Sequence, residues 1–188
     1  MKVVLISGSP RPEGNTVQIL RECAKTIEAE GVEAEVVSLA GKNIRSCVAC
    51  GRCKELGRCS IEDGANKIID KVRGAEGLIL GSPVYFGTAR GDIMSFAQRL
   101  GYVSMGSGRF LAGKAGGPVV VGRRGGHTAT FQEMLMLFSI CGMYIVGSDY
   151  WNIVFGRSEG EAMNDREGLA TARLFAANTA RLIKKINA

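Results

Sequence analysis

Apolar residues along this chain fall into two alternating kinds of run. Short unbroken runs occur at Val3 to Ile6, Val36 to Leu39, Gly77 to Leu80, Val119 to Val121 and Met143 to Val146. Such runs mark strands buried on both faces. Between them apolar residues recur at three- and four-residue spacing, the period of a helix with one buried face. Val17, Leu20, Ala24 and Ile27 mark the first helix, which Asn15 and Thr16 can cap and Gly31 stops. Ile68, Ile69 and Val72 mark a short second one. Gly91 to Tyr102 carries Ile93, Phe96, Ala97 and Leu100 at core spacing, and further helices are predicted from Thr128 to Cys141 and from Glu167 to Ile186. A Gly/Ser-rich connection covers Gly101 to Gly117, and residues 40–63 follow neither period.

Five strands alternating with helices predict one α/β domain over residues 1–188, with a doubly wound five-stranded parallel sheet covered on both faces. Ligands of such sheets bind outside the carboxyl ends of the strands, where the winding reverses. The loops after strands one, three and four carry unusual residues. The first, Ser7 to Thr16, has small residues with accessible amides ahead of a helix N-terminus. Ser9, Asn15 and Thr16 offer neutral hydrogen bonds and Arg11 a charge, which suits a phosphate monoester. It lacks the Lys-Ser/Thr ending of a triphosphate loop and the G-x-G-x-x-G fingerprint. A well-capped strand–helix turn would explain it equally. The second, Ser82 to Thr88, sets Tyr85 and Phe86 between Pro83 and Gly87. These could frame a flat ring, or the aromatics could cap the core. The third, Gly122 to His127, joins backbone freedom to Arg123 and Arg124, a match for the polar edge of a ring that becomes anionic on reduction. His127 is the only histidine.

Of 188 residues, 46% are hydrophobic and 22% charged, as in an ordinary globular domain. No apolar run approaches a membrane span, and the N-terminal run is too short for a signal peptide, so a cytoplasmic protein is expected. The net charge is +6. Basic residues are spread along the chain and aromatics make up only 6%. That pattern argues for a solvated surface with some charge near anionic ligands, and against nucleic acid as partner.

Four of the six cysteines fall within thirteen residues, Cys47, Cys50, Cys53 and Cys59, spaced C-x2-C-x2-C-x5-C. In a reducing compartment such a set is metal-binding or redox-active rather than disulfide-forming. The C-x2-C-x2-C run resembles the way ferredoxins hold three corners of a cubane cluster, with the fourth ligand following at once. Zinc, a redox-active thiol set and a motif without metal remain open, although structural zinc sites usually space their cysteine pairs further apart. Cys23 and Cys141 lie on helical segments and are read as small buried hydrophobes.

In this order, Gly8-Ser9-Pro10-Arg11-x-x-Gly14-Asn15-Thr16, Ser82-Pro83-Val84-Tyr85-Phe86-Gly87 and Arg123-Arg124-Gly125-Gly126 resemble the flavodoxin-like FMN reductases. The cysteine run resembles that of the iron–sulfur flavoproteins, and the likeness spans nearly the whole chain. It implies a flavodoxin-like fold with a cysteine-rich insertion after strand two. It implies FMN, its phosphate at Ser9, Arg11, Asn15 and Thr16. Its ring would lie along Pro83, Val84, Tyr85, Phe86 and Gly87, with Arg124, Gly125 and Gly126 at the far edge. It implies a [4Fe–4S] cluster on Cys47, Cys50, Cys53 and Cys59. It also implies an electron-transfer oxidoreductase working with a ferredoxin-like donor or a small-molecule acceptor, as a homodimer or homotetramer. Related reductases carry Asp-Arg near the end of the helix after the second loop. Gln98-Arg99 stands here, a departure expected to touch no proposed ligand.

Two other functions stay open. One is a cluster-free NAD(P)H-dependent FMN or quinone reductase. The other is a non-enzymatic module that senses redox state or holds zinc.

Overall fold

The computed structural model describes all 188 residues. Strands β1 (Lys2–Ser7), β2 (Glu33–Ser38), β3 (Gly77–Tyr85), β4 (Thr88–Ala89), β5 (Ala115–Gly122), β6 (Tyr144–Ile145) and β7 (Ile153–Phe155) form one sheet. The helices are α1 (Asn15–Ala29), α2 (Cys53–Leu56), α3 (Ala65–Arg73), α4 (Gly91–Gly106), α5 (His127–Ile140) and α6 (Arg166–Ile186). The main path runs β2-β1-β3-β5-β6 and is parallel throughout. The winding reverses between β1 and β3, the switch point of flavodoxin-like sheets.

The alternation along β1 explains the two layers. Val4 and Ile6 face a core shared with α3, α4 and α5. Val3 and Leu5 face a second core shared with α1 and α6. The two cores hold 24 and 21 buried residues, so both faces are covered about equally, as the continuous apolar runs require.

The sheet has seven strands rather than five. The fifth position is split: Tyr144–Ile145 pairs with Ala115–Gly116, and Ile153–Phe155 pairs with Val120–Gly122. Buried Asn152 closes the gap. Its amide donates to Pro118 O (3.2 Å), and its carbonyl accepts from Val120 N (2.9 Å). The other addition is β4, antiparallel to the end of β3. β3 therefore runs past its predicted end into the second loop. α1 is preceded by Gly14, which makes no side-chain cap, so Asn15 and Thr16 are helical rather than capping residues. α4 runs on to Gly106 and absorbs part of the predicted connection.

Candidate functional site: a phosphate cleft and a cysteine cavity

The first loop is held by its own hydroxyls. Ser9 N donates to Ser7 Oγ, and Ser9 Oγ both accepts from Arg11 N and donates to Arg11 O (3.2 Å each). Across the switch point Arg90 donates from Nη1 to Gly8 O (3.2 Å) and pairs with Asp92. Beside this turn opens a cleft of about 180 Å³. It brings together Ser9, Arg11, Asn15 and Thr16 with Pro83, Val84 and Tyr85, as the sequence led us to expect.

Two basic residues join them. From the third loop it is Arg123, not Arg124, that lines the cleft, and Arg157 arrives after β7. Arg11, Arg123 and Arg157 give the cleft three exposed guanidinium groups, with no acidic residue among its lining. A dianionic phosphate suits such a rim. Asn15 does different work from that expected of it. Its amide donates to Ser158 O (2.8 Å) and accepts from Ala162 N, tying down the loop that carries Arg157. Nothing local in the sequence announces Arg157, because only β7 brings it there.

The second loop is a two-residue hairpin. Tyr85 pairs with Thr88, leaving Phe86 (φ 52°) and Gly87 (φ 85°) at its tip. Two positive φ angles are those of a type I′ turn, here with Phe where Asn or Gly is usual. Tyr85 and Phe86 are both exposed, which excludes the core-capping reading. The Glu133 carboxylate accepts from Thr88 Oγ1 and Ala89 N, anchoring the hairpin to α5. Gly126 (φ 87°) packs so tightly on it that a Cβ there would lie 2.8 Å from Gly87 Cα. Thus Gly87 and Gly126 buttress one another, while Phe86, Gly87, Arg124, Gly125 and Gly126 lie outside the cleft lining. His127 is buried against Phe155, with ring centroids 4.4 Å apart, and burial holds its pKa below the ordinary value. It is a neutral packing ring.

The cysteines lie on the other side of the sheet, in the irregular connection from β2 to α3. All four line one cavity of about 420 Å³ against α4, with Ser60, Arg99 and Tyr102. Gly106 lets α2 approach closely, since a Cβ there would sit 3.2 Å from Lys54 N. All four thiols are free. The connection has two unlike limbs. On the outer limb Cys50 is exposed and Cys47 and Cys53 are half-buried, on a path that turns through left-handed Ala49 (φ 51°) and Gly51 (φ 72°). Ala49 N donates to Cys47 Sγ, and Cys53 Sγ donates to Tyr102 O. A hydrogen bond from Ser60 and the neighbouring Arg52 backbone lower the Cys50 pKa. On the inner limb Ile44 and Cys59 are buried in the core.

The departing Gln98 does not line the cysteine cavity, while Arg99, the half of the Gln98-Arg99 pair that keeps the family pattern, reaches that inner limb. Its Nε donates to Cys59 Sγ (3.2 Å), its Nη2 to Ile61 O (2.9 Å), and its Nη1 to Arg45 O and the Asp63 carboxylate. Arg99 stands three residues after Phe96 on the buried stripe of its helix. A charge at such a position was the signal available in the sequence. The thiols are not gathered into a closed coordinating group. Their chemistry nonetheless fits a soft metal centre: four thiols on one hollow, with N–H and guanidinium donors facing two of the sulfurs.

The sequence profile of NADPH-dependent FMN reductases matches residues 1–157. The chain belongs to that family. Within it the chain groups with the iron–sulfur flavoproteins. It is 41% identical to one from Methanocaldococcus jannaschii, over 99% of both chains. It is 30% identical to another from Methanosarcina thermophila, over 92% of both. Among solved structures it resembles RosB (TM-score 0.78, 18% identity, 100% of this chain and 80% of that one). It also resembles the flavodoxin WrbA-like protein from Agrobacterium tumefaciens (TM-score 0.67, 20% identity, 98% and 97%). These two likenesses bear on fold alone. The family member described here is an FMN-dependent oxidoreductase. No helix is long and apolar enough to cross a membrane.

Proposed function

We propose that this protein is an electron-transfer flavoprotein that holds a [4Fe–4S] cluster on Cys47, Cys50, Cys53 and Cys59 beside FMN, and couples a one-electron donor such as a ferredoxin to an acceptor. The observation that carries the reading is the gathering of all four thiols on one cavity. When bound, FMN supplies two-electron and one-electron chemistry and the cluster supplies single electrons. The chain's own residues bind and orient. Ser9, Arg11, Thr16, Arg123 and Arg157 receive the phosphate. Pro83, Val84, Tyr85, Phe86 and Gly87 would lie along the ring, with Arg124, Gly125 and Gly126 towards its polar edge. No side chain need act as a general base.

The reading includes a homodimer or homotetramer in the cytoplasm. An apolar groove of about 630 Å³ runs between α4 and α5, with Tyr102, Met105, Met136 and Ile140 exposed along it. Tyr102 and Met105 also line the cysteine cavity, so a second copy seated there would approach the thiols.

Iron, acid-labile sulfide and flavin measured per chain on anaerobically purified protein test the proposal. About four irons with matching sulfide per FMN are expected. FMN without iron, after reconstitution has been attempted, would leave a plain flavin reductase to be assayed with NADH and NADPH.

A further inference from the structure

Arg99 is the bulkiest of the fully buried side chains in the protein. Burying a guanidinium costs several kcal/mol unless its donors are matched. Every partner of this one lies on a single stretch, Arg45 to Asp63, the connection that bears the cysteines. A staple for that stretch would need only the carbonyls of Arg45 and Ile61 and the carboxylate of Asp63. The Nε donor left over points at the Cys59 sulfur (3.2 Å). Asn66 fixes the same residue through its backbone, accepting from Cys59 N (3.0 Å) and donating to Cys59 O (2.9 Å). Cys59 is therefore buried and held at both sulfur and main chain, while Cys50 is exposed and Cys47 and Cys53 only half-buried.

We infer that Arg99 is a positioning residue that presets Cys59 as the fixed corner of the cysteine site and keeps a cationic N–H donor on its sulfur. The inference rests on the reading of the four thiols as cluster ligands. A centre assembled there has one ligand in place before the outer limb closes. A cationic donor on a ligand sulfur favours the state carrying the extra electron, so Arg99 raises the reduction potential of the bound centre. A lysine could not replace it, because only the planar fork reaches a sulfur, two carbonyls and a carboxylate at once.

The test compares full-length, FMN-loaded wild type with Arg99→Gln and with the charge-balanced pair Arg99→Gln/Asp63→Asn. Retained FMN shows that each variant is folded. In iron-free protein, iodoacetamide labelling resolved by peptide should modify Cys59 at least about tenfold more slowly than Cys50 in wild type. Loss of one charged hydrogen bond should change that ratio severalfold in the variants. In reconstituted protein, spectroelectrochemistry should give a lower cluster potential for the variants. Unchanged labelling and an unchanged potential in a folded variant would overturn the inference and reduce Arg99 to a staple. If the single variant loses FMN, the charge-balanced pair decides. If wild type takes up no iron, the cluster reading fails by itself, and the labelling ratio alone upholds or overturns the hold of Arg99 on Cys59.

Discussion

The phosphate cleft and the cysteine cavity are built by opposite means. The cleft lies on short connections whose ends are fixed by the sheet. Its supports, Arg90 and Asn15, are engaged with the protein, which leaves the arginines of its rim to a ligand. The cavity lies under a long connection pinned at one limb only. Ile44, Cys59 and the Arg99–Asp63 pair hold the inner limb, while the outer limb carries its thiols towards solvent. A preformed site asks little ordering of its ligand. A half-formed one takes its final shape from the metal, so that binding and local folding become one event.

Removing a thiol from the outer limb should break this contrast most sharply. Cys50→Ala is expected to reduce iron from about four per chain to near zero while FMN content stays unchanged, measured by metal analysis and flavin absorbance. Cutting the inner limb should cost the whole fold. Asp63→Ala strips Arg99 of its counter-ion and orphans the N–H groups of Arg45 and Ala65, at about 3 kcal/mol in denaturant unfolding at pH 7. Burial opposes the Asp63 charge, but the Arg99 hydrogen bond and those two N–H groups outweigh it and hold its pKa below the ordinary 3.8. Its stabilisation is therefore complete above about pH 4 and is lost as pH falls through the lower folded value. The gap between wild type and Asp63→Ala should narrow below pH 4.

The cleft should respond more mildly. Arg157→Ala removes one exposed charge from a rim of three, costing about 1 kcal/mol, or roughly fivefold in the Kd for FMN, with iron content untouched. The smallest effect sharpens the contrast from outside both sites. Burial pushes the Cys23 thiol up to about 12, and burial raises Cys141 as well. Neither should be alkylated in folded protein at pH 8 while Cys50 is modified.

Much of this was legible in the sequence, for identifiable reasons. Unbroken apolar runs mark buried strands wherever the strand is long enough, as at β1 and β5. The split fifth position was half legible: Tyr144–Ile145 follows apolar Met143, whereas three-residue β7 carries no pattern of its own and is set by pairing with β5. The residues of the first loop that line the cleft were readable because the turn and its donors are contiguous. Arg157 was not, since more than a hundred residues separate it from Arg11. Arg99 could be seen as a charge on an apolar helix face, but its partner could not: the cysteine spacing singles out four thiols and says nothing of what lies behind them.

Tyr102 and Met105 are a party wall between two hollows. Their outer sides line the apolar groove and their inner sides the cysteine cavity. Whatever fills the groove lies against the same two side chains that face the thiols. Under the proposed function, quaternary structure and electron affinity would therefore meet at the same two side chains.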